Sequence, residues 1–402
     1  MKTKLLLVLF LTASFKSLTF AQGTWIQKAN VGGGARFASV GFSIGTKGYI
    51  GTGATNVNGT GLQNDFWEYD PITDAWSQKA TFGGDARLYA TGFSVGDKGY
   101  IGTGGTTVPS STSEDFWEYD PLTNSWTQKA NYGGGLAAGC FAFSIGTKGY
   151  IGTGYDDNSD NKQDFWEYDP GTGTWTQRAD FGGGLRNVAV GFSIGDKGYA
   201  GTGFNLGNQN DFWEYNPDLN SWTQKANFGG TARRVATGFS IGNYGYIGLG
   251  YDGVKKQDFW QYDPAIDTWT SITDFGGIAR SAAVGFSIGT KGYAGTGGST
   301  SSLQDFWEYT PVATGTEQIS LQNSISIFSN PSSGEITLIA SEKLKNAALT
   351  IYNVSGQQVK QVINISGQTN TFSSINLSSG IYFIHISQDN KTILTGKFAI
   401  AH

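Results

Sequence analysis

Twelve tryptophans fall into two interleaved ladders that run through most of the chain. One is Trp25, Trp76, Trp126, Trp175, Trp222 and Trp269; the other is Trp67, Trp117, Trp166, Trp213, Trp260 and Trp307. Spacing within each ladder is 47 to 51 residues, and the phrases GYIGTG, DFWEYDP, WTQKA and FGGGLR recur around the rungs. Such a period means that one supersecondary unit is repeated, and that each copy buries its faces against its neighbours. In the copy spanning 175–222, residues 186–194 form an apolar run and 195–198 a tight hairpin turn. Residues 199–203 make a second strand, 211–215 a third and 221–225 a fourth, with Pro217 fixing φ in the turn before the last.

Four antiparallel strands per copy predict an all-β fold, a six-bladed β-propeller. The ends of the array specify its closure. Six DFW strands occur, but the last is followed by residues 311–315 rather than by a WTQKA strand. The missing strand lies at the other end, at 24–28, and should complete the sixth blade and remove an open sheet edge. Near the axis the ring is crowded. The position fourteen residues after each first-ladder Trp is accordingly small: Ser39, Ala90, Cys140, Ala189, Ala236 and Ala283. Cys140 reads as a buried apolar residue rather than a nucleophile.

Residues 1–21 read as a secretory signal peptide, with Lys2 and Lys4 before an apolar run from Leu5 to Leu11. Its loss takes three lysines from a formal charge of −5 and leaves about −8. No later run is long and apolar enough for a membrane-spanning helix. Mild acidity and the lack of a basic run argue against nucleic acid as a partner. A lone cysteine leaves a secreted chain to hold itself together by its core rather than by disulfides.

Over residues 22–311 the chain resembles the kelch-repeat family, including galactose-oxidase-like propellers. The likeness rests on the glycine-rich second strand, the Tyr-Asp-Pro turn and a Trp seven residues after that Tyr, as in Tyr168 and Trp175. The family's double glycine is replaced by Gly152-Thr153-Gly154. The resemblance implies a kelch-type propeller. Residues 312–324 read as a linker. Beyond them the ladders stop, and short alternating runs at 325–328, 348–352 and 380–386 predict a small β-sandwich over 325–402. That stretch resembles the type A C-terminal sorting domain of proteins exported through the type IX secretion system of Bacteroidota. The matching residues are 328–334 (FSNPSSG), 349–356 (LTIYNVSG), 377–382 (LSSGIY) and 395–398 (TGKF). The resemblance implies the type IX machinery as a partner, and release or attachment at the cell surface.

Loops between second and third strands share one face and differ in length. They run eleven residues at 54–64, ten at 105–114, nine at 155–163 and seven in the other blades. Variable loops on a rigid scaffold are where binding is expected. The same face should carry Arg36, Arg87, Arg186, Arg233 and Arg280 around the mouth of an axial channel, with Ala137 breaking the set. Two outcomes are open for these arginines: pairing with Asp65, Asp115, Asp211, Asp258 and Asp305, or capture of a carboxylate or sulfate. The following residue varies (Phe37, Leu88, Ala138, Asn187, Arg234, Ser281) and is the better candidate for specificity. Two roles are open for Tyr155, Phe204 and Tyr251 in the loops, stacking on sugar rings or covering the blade edges. Asp156, Asp157 and Asp160 match no complete calcium loop, and no metal or other cofactor is expected.

Enzyme chemistry meets obstacles. His385 and His402, both outside the repeats, are the only histidines, which removes a copper site, a zinc site and a Ser-His-Asp arrangement from the ring. A sialidase-like hydrolase using the axial arginines stays open; the Glu68, Glu118, Glu167, Glu214 and Glu308 series reads as repeat structure. The leading expectation is a secreted or surface binding protein for glycan or protein, with a purely structural surface protein as the alternative.

Overall fold

The computed structural model describes residues 23–107, 111–311, 325–330, 335–353, 356–373, 380–388 and 391–400. The expected signal peptide and linker lie outside them. The chain divides into two compact units that meet between Pro311 and Val312.

The first unit holds six four-stranded antiparallel sheets. Blade 4 is representative, with strands Val190–Ile194, Lys197–Gly201, Phe212–Asn216 and Ser221–Lys225. Blades 1, 2, 3 and 5 begin at Val40–Ile44, Thr91–Val95, Phe141–Ile145 and Thr237–Ile241. Blade 6 begins at Val284–Ile288, and its fourth strand is Thr24–Lys28, paired with Phe306–Thr310. Each innermost strand packs on the next, and that of blade 6 returns to blade 1, so the ring is closed and propeller-like.

Two rules in the repeat build the interfaces between blades. Second strands are buried on both faces, and each begins Lys/Tyr-Gly-Tyr. That glycine gives room to an aromatic ring of the preceding blade: a Cβ on Gly99 would stand 2.5 Å from Phe42, and one on Gly48 2.5 Å from Phe286. The third-strand Phe of each blade then packs edge-on under the Tyr and Trp of the next. Phe66 lies 4.9 Å from Tyr119 and 5.0 Å from Trp126 between ring centroids. Phe212 lies 4.9 Å from Tyr262 and 5.0 Å from Trp269. Such contacts add to the area term of burial. Trp25 makes the same contact with Phe259 at 5.1 Å, so the N-terminal strand enters the ring as an ordinary rung.

In the second unit five strands are hydrogen-bonded into one continuous sheet. Glu335–Asn353 and Gln358–Ser373 are long enough to pair along most of their length, with register shifts between Ile339 and Leu349 that let them bend. The bend gathers Leu338, Leu349, Ile351, Ile365, Ile384 and Ile386 into one core.

Candidate functional site

The GTG phrase and the ring arginines prove to be one structural device. In each blade the last glycine has a positive φ, 93° at Gly53 and 100° at Gly104. A Cβ on Gly104 would stand 2.9 Å from the Ala90 backbone, so only glycine fits. Its N–H reaches the next blade, where Gly53 donates to the Arg87 carbonyl at 2.7 Å and Gly203 to that of Arg233 at 2.8 Å.

The arginine side chains turn into their own blades. Arg36, Arg87, Arg233 and Arg280 are completely buried and Arg186 nearly so. Each grips the aspartate that starts the third strand through both terminal nitrogens. Arg233 Nη1 and Nη2 donate to Asp258 Oδ1 and Oδ2 at 2.7 and 2.8 Å, and Arg280 to Asp305 at 2.7 Å twice. Arg36 does the same with Asp65 at 2.9 and 2.7 Å, and Arg186 with Asp211 at 2.5 and 2.9 Å. Arg87 closes on Asp115 in the same way. A second-ladder Trp indole also donates to that carboxylate, as Trp260 does to Asp258 at 2.9 Å. Burial alone would raise the Asp115, Asp258 and Asp305 pKa values, but these hydrogen bonds carry all three below the usual carboxylate range. Of the two outcomes open for these five arginines, the structure gives pairing. They do not present a free ring of charge at the mouth.

Blade 3 keeps the glycine but lacks the arginine. Ala137 leaves Asp164 without a guanidinium, its Oδ1 is buried without a partner, and burial pushes its pKa up. Lys162 stands 3.9 Å away and compensates only in part. Cys140, in the same blade, is a free thiol whose pKa burial pushes up to about 12, which agrees with a packing role.

Above the paired arginines, the variable residues converge. Each pairs through its backbone with the first residue of a loop: Ala138 with Tyr155, Asn187 with Phe204, Arg234 with Tyr251, Phe37 with Ala54. These bridges bring the expected Arg234, Phe204 and Tyr251 together. The guanidinium carbon of Arg234 lies 4.7 Å from the Phe204 ring centroid and 5.2 Å from that of Tyr251. This clamp holds the cation between two aromatic rings at half-buried positions. Among the described residues Arg234 has no acidic partner and no side-chain hydrogen bond, unlike its five buried neighbours. Tyr155 stands beside Gly139 and Val188 on the same rim.

Tyr89 was missed in the sequence, because its counterparts in the other repeats, Ala38, Gly139, Val188, Val235 and Ala282, are small or aliphatic. Its ring meets Phe37 at 5.8 Å, and desolvation raises its phenol, with Tyr155 adding to the shift and Arg234 opposing it. Tyr89 therefore belongs to the same mouth.

Below these side chains lies a floor made of backbone. Tyr89 N–H donates to Ala38 O, Gly139 to Tyr89, Val188 to Gly139, Val235 to Val188, Ala282 to Val235 and Ala38 to Ala282, at 2.8 to 3.2 Å. The circuit is complete. All six residues have φ between 44° and 65°, a costly conformation for Val188 and Val235 in particular.

Other candidates resolve as structure. Asp157 accepts from Thr112 N and Oγ1 at 2.5 and 2.7 Å, tying two neighbouring loops, and Asp156 caps its own turn. No group of three or more metal-ligating side chains occurs among the described residues. Glu68, Glu118, Glu167, Glu214 and Glu308 accept from Tyr49, Tyr100, Tyr150, Tyr199 and Tyr293 at 2.6 to 2.8 Å. Burial raises those phenols, the opposite of what an activated nucleophile needs. A cleft of about 790 Å³ lies where the N-terminal strand joins the ring, lined by Gln27, Asn30, Gln257, Ser302, Gln304 and Trp307 among others. Arg280 borders it but is closed on Asp305.

Comparisons with known proteins bear on both units. Residues 326–401 match the family described as "Secretion system C-terminal sorting domain". No curated protein matches the chain. The solved structure entitled "Structure of YjhT" is similar with a TM-score of 0.60 at 16% identity, covering 70% of this chain and 97% of that one. At that identity the likeness concerns the fold alone. Among the described residues no helix is long and apolar enough to cross a membrane. The chain thus joins a propeller-like ring of four-stranded sheets to a C-terminal sorting domain of the type IX secretion system.

Proposed function

We propose that this is a secreted or surface-displayed, kelch-type six-bladed binding protein that recognises an extracellular glycan or protein through the loop-rich face. In this reading the signal peptide and the type IX machinery export it, and the C-terminal unit is the exported chain's address. The observation that carries the reading is the contrast between two adjacent positions of the repeat. Five arginines are sealed in ion pairs, whereas Arg234 stands unpaired between Phe204 and Tyr251, beside Tyr155, on the face where loop lengths vary. Rigid aromatic and arginine side chains backed by ordered backbone are the usual anchors of recognition.

The test is binding of the full chain to a glycan array and to surface-protein extracts, with bound sugars recovered and analysed for turnover. Phe204→Ala/Tyr251→Ala should weaken binding about tenfold or more while thermal unfolding stays within a few degrees of wild type. Recovery of altered sugar would move the reading to catalysis. The five closed pairs favour a second reading, a purely structural surface protein; its sign would be the absence of any ligand that the double variant loses.

A further inference from the structure

The mouth has three properties that together specify what it admits. Among the variable residues that converge there, Arg234 is the one that carries charge. Arg234 is held between Phe204 and Tyr251, so its planar fork is fixed in orientation while its N–H groups stay unclaimed by the protein. A fixed, unpaired guanidinium matches a carboxylate or a sulfate, which accept two parallel hydrogen bonds.

Its depth is limited. The circuit of peptide hydrogen bonds through Ala38, Tyr89, Gly139, Val188, Val235 and Ala282 encircles the axis directly beneath. A hexagon whose sides are one interstrand spacing, about 4.8 Å, has a radius of about 4.8 Å. Once the backbone atoms take up their own radii, the opening is narrower than a pyranose ring. The Ala38, Ala282, Val235 and Tyr89 side chains pack in one apolar cluster at this level. A polymer cannot thread through.

Its backbone is spoken for. Phe37, Leu88, Ala138, Asn187, Arg234 and Ser281 all pair with the loop residues opposite them. Among the described residues no row of free N–H and C=O groups remains there to take a peptide as an added strand. What the mouth offers is side chains: Tyr89, Tyr155 and Phe37 around a single cation. Flat rings with one charged fork suit a sugar.

We propose that the mouth is a blind cup for the acidic end of a glycan, taking a terminal sugar that bears a carboxylate or sulfate end-on, with Arg234 on the anion and Tyr155 or Tyr89 against the ring. This rests on the binding reading above and narrows it.

The experiment is calorimetric titration of the full chain with galacturonic acid, galactose 6-sulfate and galactose, and with a short and a long oligogalacturonate at equal uronate content. The two acidic monosaccharides separate carboxylate from sulfate. Binding of at least one acidic probe about tenfold or more tighter than galactose is expected, with sites filled per chain end rather than per sugar. Arg234→Gln should abolish the preference; Arg234→Lys, which keeps charge but not the fork, should restore part of it. Equal binding of galactose and the acids, retained in Arg234→Gln but lost in Phe204→Ala/Tyr251→Ala, would overturn the anionic cup and leave glycan binding standing. Sites filled per sugar along the long oligomer would overturn the end-on mode. No binding of any probe at millimolar concentration would overturn both.

Discussion

Asp258 and Asp164 occupy the same place in two blades, and only Asp258 has its arginine. Replacing Asp258 by Asn strands a completely buried guanidinium and should cost roughly 2–4 kcal/mol, somewhat below a fully buried pair because the carboxylate keeps 30% side-chain exposure. Asp164→Asn strands nothing, since Trp166 still has an oxygen to donate to, and should be neutral or stabilising in chemical denaturation. The two differ in pH dependence as well. The depressed pKa values of Asp115, Asp258 and Asp305 contribute stability present above the unfolded value near about 3.9 and lost as pH falls through the folded values. Asp164 is raised, so its penalty is absent below about pH 4 and grows as pH rises through its folded pKa. The melting-temperature gap between Asp164→Asn and wild type should therefore widen from pH 4 to pH 7. A gap independent of pH would refute this account. Pairing of arginine with aspartate was legible because both recur at the same end of each repeat, the arginine at the start of the first strand and the aspartate at the start of the third. The Arg234 clamp was legible only as separate residues, because its assembly depends on the bridge between Arg234 and Tyr251.

Adjacent blades are latched by an Asx side chain in the turn between third and fourth strands. Asp74, Asn124, Asn220 and Asp267 each accept a backbone N–H from the preceding blade and a Tyr hydroxyl from their own, at 2.7 to 3.0 Å. All four have φ between 45° and 52°. Blade 3 has Gly173 there, at φ 70°, and the Tyr168 hydroxyl is buried without a partner. The joint between blades 2 and 3 therefore lacks this latch. Asn tolerates this conformation and the space around Gly173 is open, so Gly173→Asn should restore the latch and add about 1 kcal/mol in denaturant unfolding. No gain would mean that Tyr168 is satisfied in another way. The Asx positions were visible in the repeat as turn residues, but their reach into the neighbouring blade was not, since it joins residues some 41 to 45 positions apart. In the C-terminal unit, short alternating runs suggested separate strands; bulges let two long strands pass through both halves without an apolar signature.

Closure of the molecule depends on five residues at its N-terminal end. Trp25 packs against Phe259, Phe275 and Tyr309 at 5.0 to 5.1 Å, and Thr24–Lys28 covers the edge of Phe306–Thr310. Trp25→Ala should cost about 3 kcal/mol. Deleting residues through Lys28 should also expose a pairing edge, seen as lower melting temperature together with light scattering. A deletion that melts as wild type would show that blade 6 stands without its fourth strand. Counting repeats was enough to place this closure in the sequence. The floor of the mouth could not be read that way, because only Gly139 among its six residues advertises a left-handed backbone. That floor has an electrical consequence. Its six N–H groups all point in the same rotational sense, so their peptide dipoles follow one another head to tail around the axis, and vectors that close a loop sum to almost nothing. Where a helix terminus offers a bound anion a permanent positive pole, this ring offers none. The sign of the potential at the mouth is thus left to its side chains, and one substitution at Arg234 can remove the preference for an anion without disturbing a single backbone bond.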